Sequence, residues 1–81
     1  MRVMYFAWVR ERIGRPFDDV DTNAQTVLEL VNELKQREER YAAAFADIRA
    51  LRVALDQQLA TFDAPLKGVH EVAFFPPMTG G

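Results

Sequence analysis

The spacing of hydrophobic positions changes several times along the chain, and each spacing predicts an element. From Met1 to Phe6 the residues Val3, Met4, Tyr5 and Phe6 run without polar alternation, which predicts a strand covered on both faces. Ala7 to Ile13 sets Trp8, Val9 and Ile13 among charged residues, a short helical turn closed by Gly14. Pro16 suits the first position of a short edge strand, Phe17 to Val20. The clearest helix signal follows. Thr26-Val27-Leu28-Glu29 is a capping box, in which the Thr hydroxyl and Glu carboxylate accept from exposed first-turn amides. Val27, Leu28, Val31 and Leu34 recur at helical spacing, so an amphipathic helix is predicted from Thr26 to Glu39. Its polar face offers Glu33–Arg37 and Lys35–Glu39 as favourably oriented pairs, and Lys35 to Arg40 reads as a solvated face rather than a binding patch. Tyr41 to Ala46 predicts a second short helix with Tyr41 and Phe45 turned inward.

Period-two alternation then takes over. Leu51 to Leu55 and Gln58 to Phe62 read as strands joined by a tight turn at Asp56-Gln57. Asp63 to Leu66 is a further turn, and Lys67-Gly68 leads into a last strand, Glu71 to Phe75. That strand sets Val72 and Phe74 on one face and Ala73 and Phe75 on the other. The order predicts an α+β fold: a mixed sheet of about five strands, with one main helix packed on one face and short extra helices.

Composition narrows what such a fold does. The chain has 81 residues, room for one domain. Ten Lys and Arg against twelve Asp and Glu give a net charge of -2, without the basic field that a nucleic-acid partner demands. No cysteine is present, which excludes a disulfide scaffold, a thiolate zinc site and a cysteine nucleophile; with a single histidine, no metal site is expected. No targeting segment or membrane span is visible, so a cytoplasmic protein with no membrane partner is expected. Asp18, Asp19 and Asp21 lack the spacing of a calcium loop and read as a solvated strand edge. His70 reads as an exposed turn residue and Trp8 as half-buried packing. The composition points to a carrier, adaptor or small subunit.

The C-terminus carries the chemistry. It reads Phe74-Phe75-Pro76-Pro77-Met78-Thr79-Gly80-Gly81. Pro76 and Pro77 lack amide donors, so the chain must leave the sheet there, and two prolines favour a stiff extended segment. From Pro76 to Gly81 the reach is up to about 20 Å at ~3.3 Å per residue. Gly80 and Gly81 carry no side chains, so the free carboxylate can enter a narrow channel and lie against another backbone. The chain therefore divides into a globular domain, residues 1–75, and an extended tail, residues 76–81.

The run Val72 to Gly81 resembles the end of the small, sulfur-carrying subunit of molybdopterin synthase. Phe6-Ala7-Trp8-Val9-Arg10-Glu11 resembles that family's first strand and the turn after it. Leu55 to Leu59 and Phe62 to Leu66 are similar to its middle strands and the turn before the last strand; Lys67 to Glu71 departs from the acidic, glycine-containing turn more usual there. The resemblance implies a ubiquitin-like β-grasp fold. It implies that an activating enzyme uses ATP to adenylate Gly81, that sulfur replaces AMP to leave a thiocarboxylate, and that this carrier holds no permanent cofactor of its own. It also implies a large catalytic subunit that receives Gly80 and Gly81 and turns the pterin precursor into a dithiolene, the two subunits assembling as a heterotetramer. The chain would then be the non-catalytic, sulfur-donating arm of a sulfurtransferase. Phe75, Pro76, Pro77, Met78 and Thr79, with Leu59 and Arg10, are the expected partner-binding residues. Two other uses of the fold remain open: a thiamine-pathway sulfur carrier, and a ubiquitin-like modifier joined to target lysines through Gly81.

Overall fold

The computed structural model describes residues 1–77. Met78, Thr79, Gly80 and Gly81, four of the expected functional residues, lie outside the described residues. The elements follow in the order β1 (Arg2–Tyr5), α1 (Ala7–Ile13), β2 (Phe17–Asp19), α2 (Val27–Lys35), α3 (Glu39–Ala44), β3 (Arg52–Leu55), β4 (Gln58–Ala60) and β5 (Glu71–Phe75), with a single 3₁₀ turn at Ile48–Ala50 before β3. The five strands form one sheet in the order β2-β1-β5-β3-β4. Its central pair, β1 and β5, is parallel, and the outer pairings are antiparallel.

All three helices lie over one face of this sheet. Val3, Tyr5, Val53, Val72 and Phe74 point into that side and join Val9, Ile13, Val27, Leu30, Val31, Leu34, Tyr41 and Phe45 in one core cluster. The Phe45 and Phe74 rings meet edge to face with centroids 4.9 Å apart. This corrects the reading of the first strand as covered on both faces. Val3 and Tyr5 are buried, but Arg2 is exposed and Met4 only half-buried, because no helix packs on the other side.

α1 ends as the sequence predicts. Gly14 adopts φ +87°, and its amide donates to the Arg10 carbonyl at 2.8 Å, the left-handed cap that glycine makes without strain. α2 differs from expectation in three ways. Its Thr26 hydroxyl caps the Glu29 amide at 3.2 Å, but the Glu29 carboxylate accepts from Gln25, one residue earlier than the capping box implies. Its buried stripe is Val27, Leu30, Val31 and Leu34, with Leu28 41% exposed. Finally, the helix stops at Lys35, where the amides of Gln36 and Arg37 close back on Glu33 and Leu34 in tight three-residue turns. Arg37 and Glu39 thus lie beyond the helix, and neither expected pair forms. Glu33 instead accepts a hydrogen bond from the Thr22 hydroxyl at 2.9 Å.

β3 and β4 are each shorter than predicted, although the turn between them falls at Asp56-Gln57 as expected. His70 is exposed and Trp8 half-buried, both as the sequence suggests. The larger correction concerns the acidic cluster. Asp18 is not solvated: it is 7% exposed. Its Oδ2 accepts from the Tyr5 hydroxyl at 2.9 Å and the Tyr41 hydroxyl at 2.6 Å, and its Oδ1 from Arg15 at 2.6 Å. Burial pushes the Asp18 carboxyl up, but the hydrogen bonds from Tyr41, Arg15 and Tyr5 outweigh it and hold it below the usual carboxylate range. Both tyrosines are displaced upward, by burial first and by the Asp18 carboxylate second. Asp18 is a structural tie joining β2, β1 and α3.

Candidate functional site

The sheet face that no helix covers is where two of the expected binding residues, Leu59 and Phe75, lie. The ladder sets Met4 beside Phe17 on one side and Ala73 on the other, and Ala73 beside Ala54, which in turn faces Leu59. One row thus crosses all five strands as Phe17, Met4, Ala73, Ala54 and Leu59, and every member projects to the open side. Two alanines in the middle make a shallow floor. Ala73 is only 8% exposed, although it faces away from the helices, because it lies on the central strand with the longer Met4 beside it and Phe75 next along the same face. Leu59, on the outer strand β4, is 75% exposed. Such a leucine, unlike a scattered surface residue, continues an apolar surface, the mark of an interaction site.

Phe75 shares this face one step along β5, paired with Arg52 of β3 and half-buried. The pattern predicted for the last strand is therefore observed, with Val72 and Phe74 fully buried on the helix side. At the far edge, Arg2 caps the surface: its guanidinium lies 4.1 Å over the Phe17 ring and pairs with Asp19 at 3.1 Å. Apolar surface is accordingly left open on the β3, β4 and β5 side. Phe17 and Met4 were not among the expected binding residues. Neither strand announces its partner, and only the ladder puts them in one row with Leu59.

β5 leads directly to the tail. Near its end the Phe6 amide donates to the Phe74 carbonyl at 3.1 Å, and Pro76 and Pro77 follow, half-buried and without donors. Beside this exit the chain turns from β1 into α1 through Ala7, whose φ of +53° is unusual for a residue with a side chain. Arg10 is not on the open face. It is exposed on α1, which contacts β1 and β5, and no ion pair holds its side chain among the described residues. The structure thus joins Leu59, Phe75 and the start of the tail, and leaves Arg10 on a separate element. Among the described residues no three His, Asp or Glu side chains gather as a metal ion would require.

Comparison with known proteins matches this geometry. The ThiS family covers residues 3–81. The molybdopterin synthase sulfur carrier subunit of Escherichia coli is 41% identical over 81 residues, spanning 100% of this chain and 99% of that protein. The subunit of the same name from Haemophilus influenzae is 33% identical over the same shares. Among solved structures, SAMP1 from Haloferax volcanii superposes with a TM-score of 0.78 at 22% identity, covering 100% of this chain and 98% of that one. A Pyrococcus furiosus structure described as molybdopterin converting factor, subunit 1, superposes with a TM-score of 0.73 at 25% identity, covering 95% of each chain. The fold is the ubiquitin-like β-grasp.

Proposed function

The chain belongs to the ThiS family, and from that premise we propose that it works through Gly81, as the sulfur carrier of molybdopterin synthase in molybdenum cofactor biosynthesis. The end-to-end likeness to two sulfur carrier subunits carries this reading. As a carrier subunit it has a catalytic partner subunit. The finer chemistry follows from the residues present. A carboxylate is a poor acyl donor, so the Gly81 carboxylate attacks the α-phosphate of ATP on an activating enzyme and pyrophosphate leaves. A sulfur donor then displaces AMP, and the product is a thiocarboxylate, a soft nucleophile. With no cysteine in the chain, Gly81 is the residue that can hold the sulfur. Sulfur passes to the pterin precursor on the partner, and water restores the carboxylate. ATP is consumed in activation and is not a resident cofactor.

The open sheet face docks the partner, with Leu59 and Phe75 as apolar anchors and Pro76 to Thr79 leading the terminal glycines inward. Arg10, exposed on α1, adds a charge beside that docking surface. Two copies join two catalytic subunits in the cytoplasm. Among the described residues no helix is long and apolar enough to cross a membrane. Intact mass after incubation with the activating enzyme, ATP and a sulfur source tests the central step. The native chain should gain the mass of one oxygen exchanged for one sulfur. A variant with one residue added after Gly81, or lacking Gly81, should gain nothing while melting at the native temperature. Sulfuration of an untrimmed extended chain would refute the role of Gly81, and adducts on target lysines would instead mark a protein modifier.

A further inference from the structure

A cleft of about 300 Å³ opens at the end of the sheet where the tail departs. Its apolar lining comes from Ile48, Leu51, Ala60 and Phe62, and Thr61 with two cationic residues, Arg49 and Arg52, completes it. Arg52 is the β3 neighbour of Phe75, the last residue of β5, and Ala60 lies one strand further out, beside Val53. At about 4.8 Å between strands, the cleft lies within roughly 10 Å of the tail's exit. The two cations differ in how they are held. Arg49 pairs with Asp47 at 3.1 Å, both well exposed. Arg52 donates to the carbonyls of Leu51 at 2.8 Å and Arg49 at 3.4 Å, and has no carboxylate partner among the described residues. Main-chain carbonyls thus fix the guanidinium while leaving N–H donors unused.

We propose that this cleft is a second anchor for the catalytic partner subunit, receiving one apolar side chain of that subunit with an aspartate or glutamate beside it that Arg52 binds. This rests on the reading of the chain as a sulfur carrier. A partner that takes in the residues beyond Pro77 must surround this end of the sheet. The same partner lies over Phe75 of the open face, whose ladder neighbour Arg52 also lines the cleft, so cleft and open face meet at Arg52. Charge selects the occupant. The protein is acidic overall, yet here it presents a positioned guanidinium above apolar carbon, a setting complementary to a carboxylate on an apolar stem.

The test titrates the full-length chain against the catalytic subunit by calorimetry, comparing native protein with Arg52→Glu, Lys67→Glu and Leu59→Asp. Lys67 is exposed in the loop before β5, at the opposite end of that strand, and controls for the change in charge. Arg52→Glu should weaken binding at least about tenfold, whereas Lys67→Glu should leave it nearly unchanged, with both variants melting as the native chain does. Changing one acidic residue of the partner to lysine should restore the affinity of Arg52→Glu. Native affinity in Arg52→Glu would overturn the anchor, and so would a defect confined to the reaction with the activating enzyme. If Leu59→Asp alone weakens binding, the cleft falls and the docking face stands. If the native chain does not bind the catalytic subunit, the sulfur-carrier reading falls and takes the cleft's occupant with it.

Discussion

Burying a carboxylate in so small a domain costs free energy that only its partners can offset, and Asp18 has three. Truncation to alanine leaves two buried tyrosine hydroxyls without their acceptor, while Arg15, half-exposed, can turn to water. Asp18→Ala should therefore lower stability by about 3 kcal/mol, measured by urea denaturation. The same group shapes the pH dependence. Its folded pKa is depressed, so its contribution is complete above the unfolded value of about 3.9 and is lost as pH falls through the lower folded value. Tyr5 and Tyr41 are raised, so theirs is complete below about 10 and is lost as pH climbs through their folded values. Stability against pH should show a plateau between these limits. Asp18→Asn should flatten the acid limb, and an unaltered acid limb in that variant would contradict the assignment.

Among the elements, the β3–β4 hairpin holds the clearest strain. Asp56 and Gln57 have φ of +49° and +71°, the left-handed pair that a two-residue turn of type I′ demands and that Asp-Gly satisfies best. Asp56 is retained for a second reason: its Oδ1 accepts from the amides of His70 and Glu71, at 3.0 and 2.9 Å, and ties the hairpin to the start of β5. Gln57 makes no such bond among the described residues. Gln57→Gly should raise stability by about 1 kcal/mol, seen as a higher denaturant midpoint with an unchanged slope. A fall in the midpoint would show that the side chain contributes more than the backbone strain costs.

Across the whole molecule, one sheet with helices on a single side must leave the other side to water or to a partner. That asymmetry separates folding from binding. Phe75 is half-buried on the open face, so Phe75→Ala should cost about 1–2 kcal/mol of stability, well below the roughly 3–5 kcal/mol of a true core phenylalanine. The same change should weaken binding to the catalytic subunit far more than it weakens the fold. Thermal melting and calorimetric titration of one preparation separate the two effects. A core-sized stability loss would make Phe75 a packing residue and remove it from the docking surface.

Much of this protein was legible from local pattern. The period-two runs of β3 and β5, the Thr26 cap, the Gly14 stop and the Asp56-Gln57 turn depend on residues near in sequence, so the chain alone determined them. The end of β5 was legible for the same reason, since Pro76 and Pro77 lack the amide donors that would extend a ladder. Other features were not. Nothing near Asp18 in sequence distinguishes it from exposed Asp19; its burial is decided by Tyr41, brought over the sheet by α3. The helix stripe passes to Leu30 and leaves Leu28 exposed because only packing fixes which face of α2 turns inward. The open face was half legible: Leu59 and Phe75 stand out by type, but their meeting across Ala54 and Ala73 is a matter of strand order and register. Those pairings link residues distant in the chain, and long-range pairing is decided by the packing of the whole sheet.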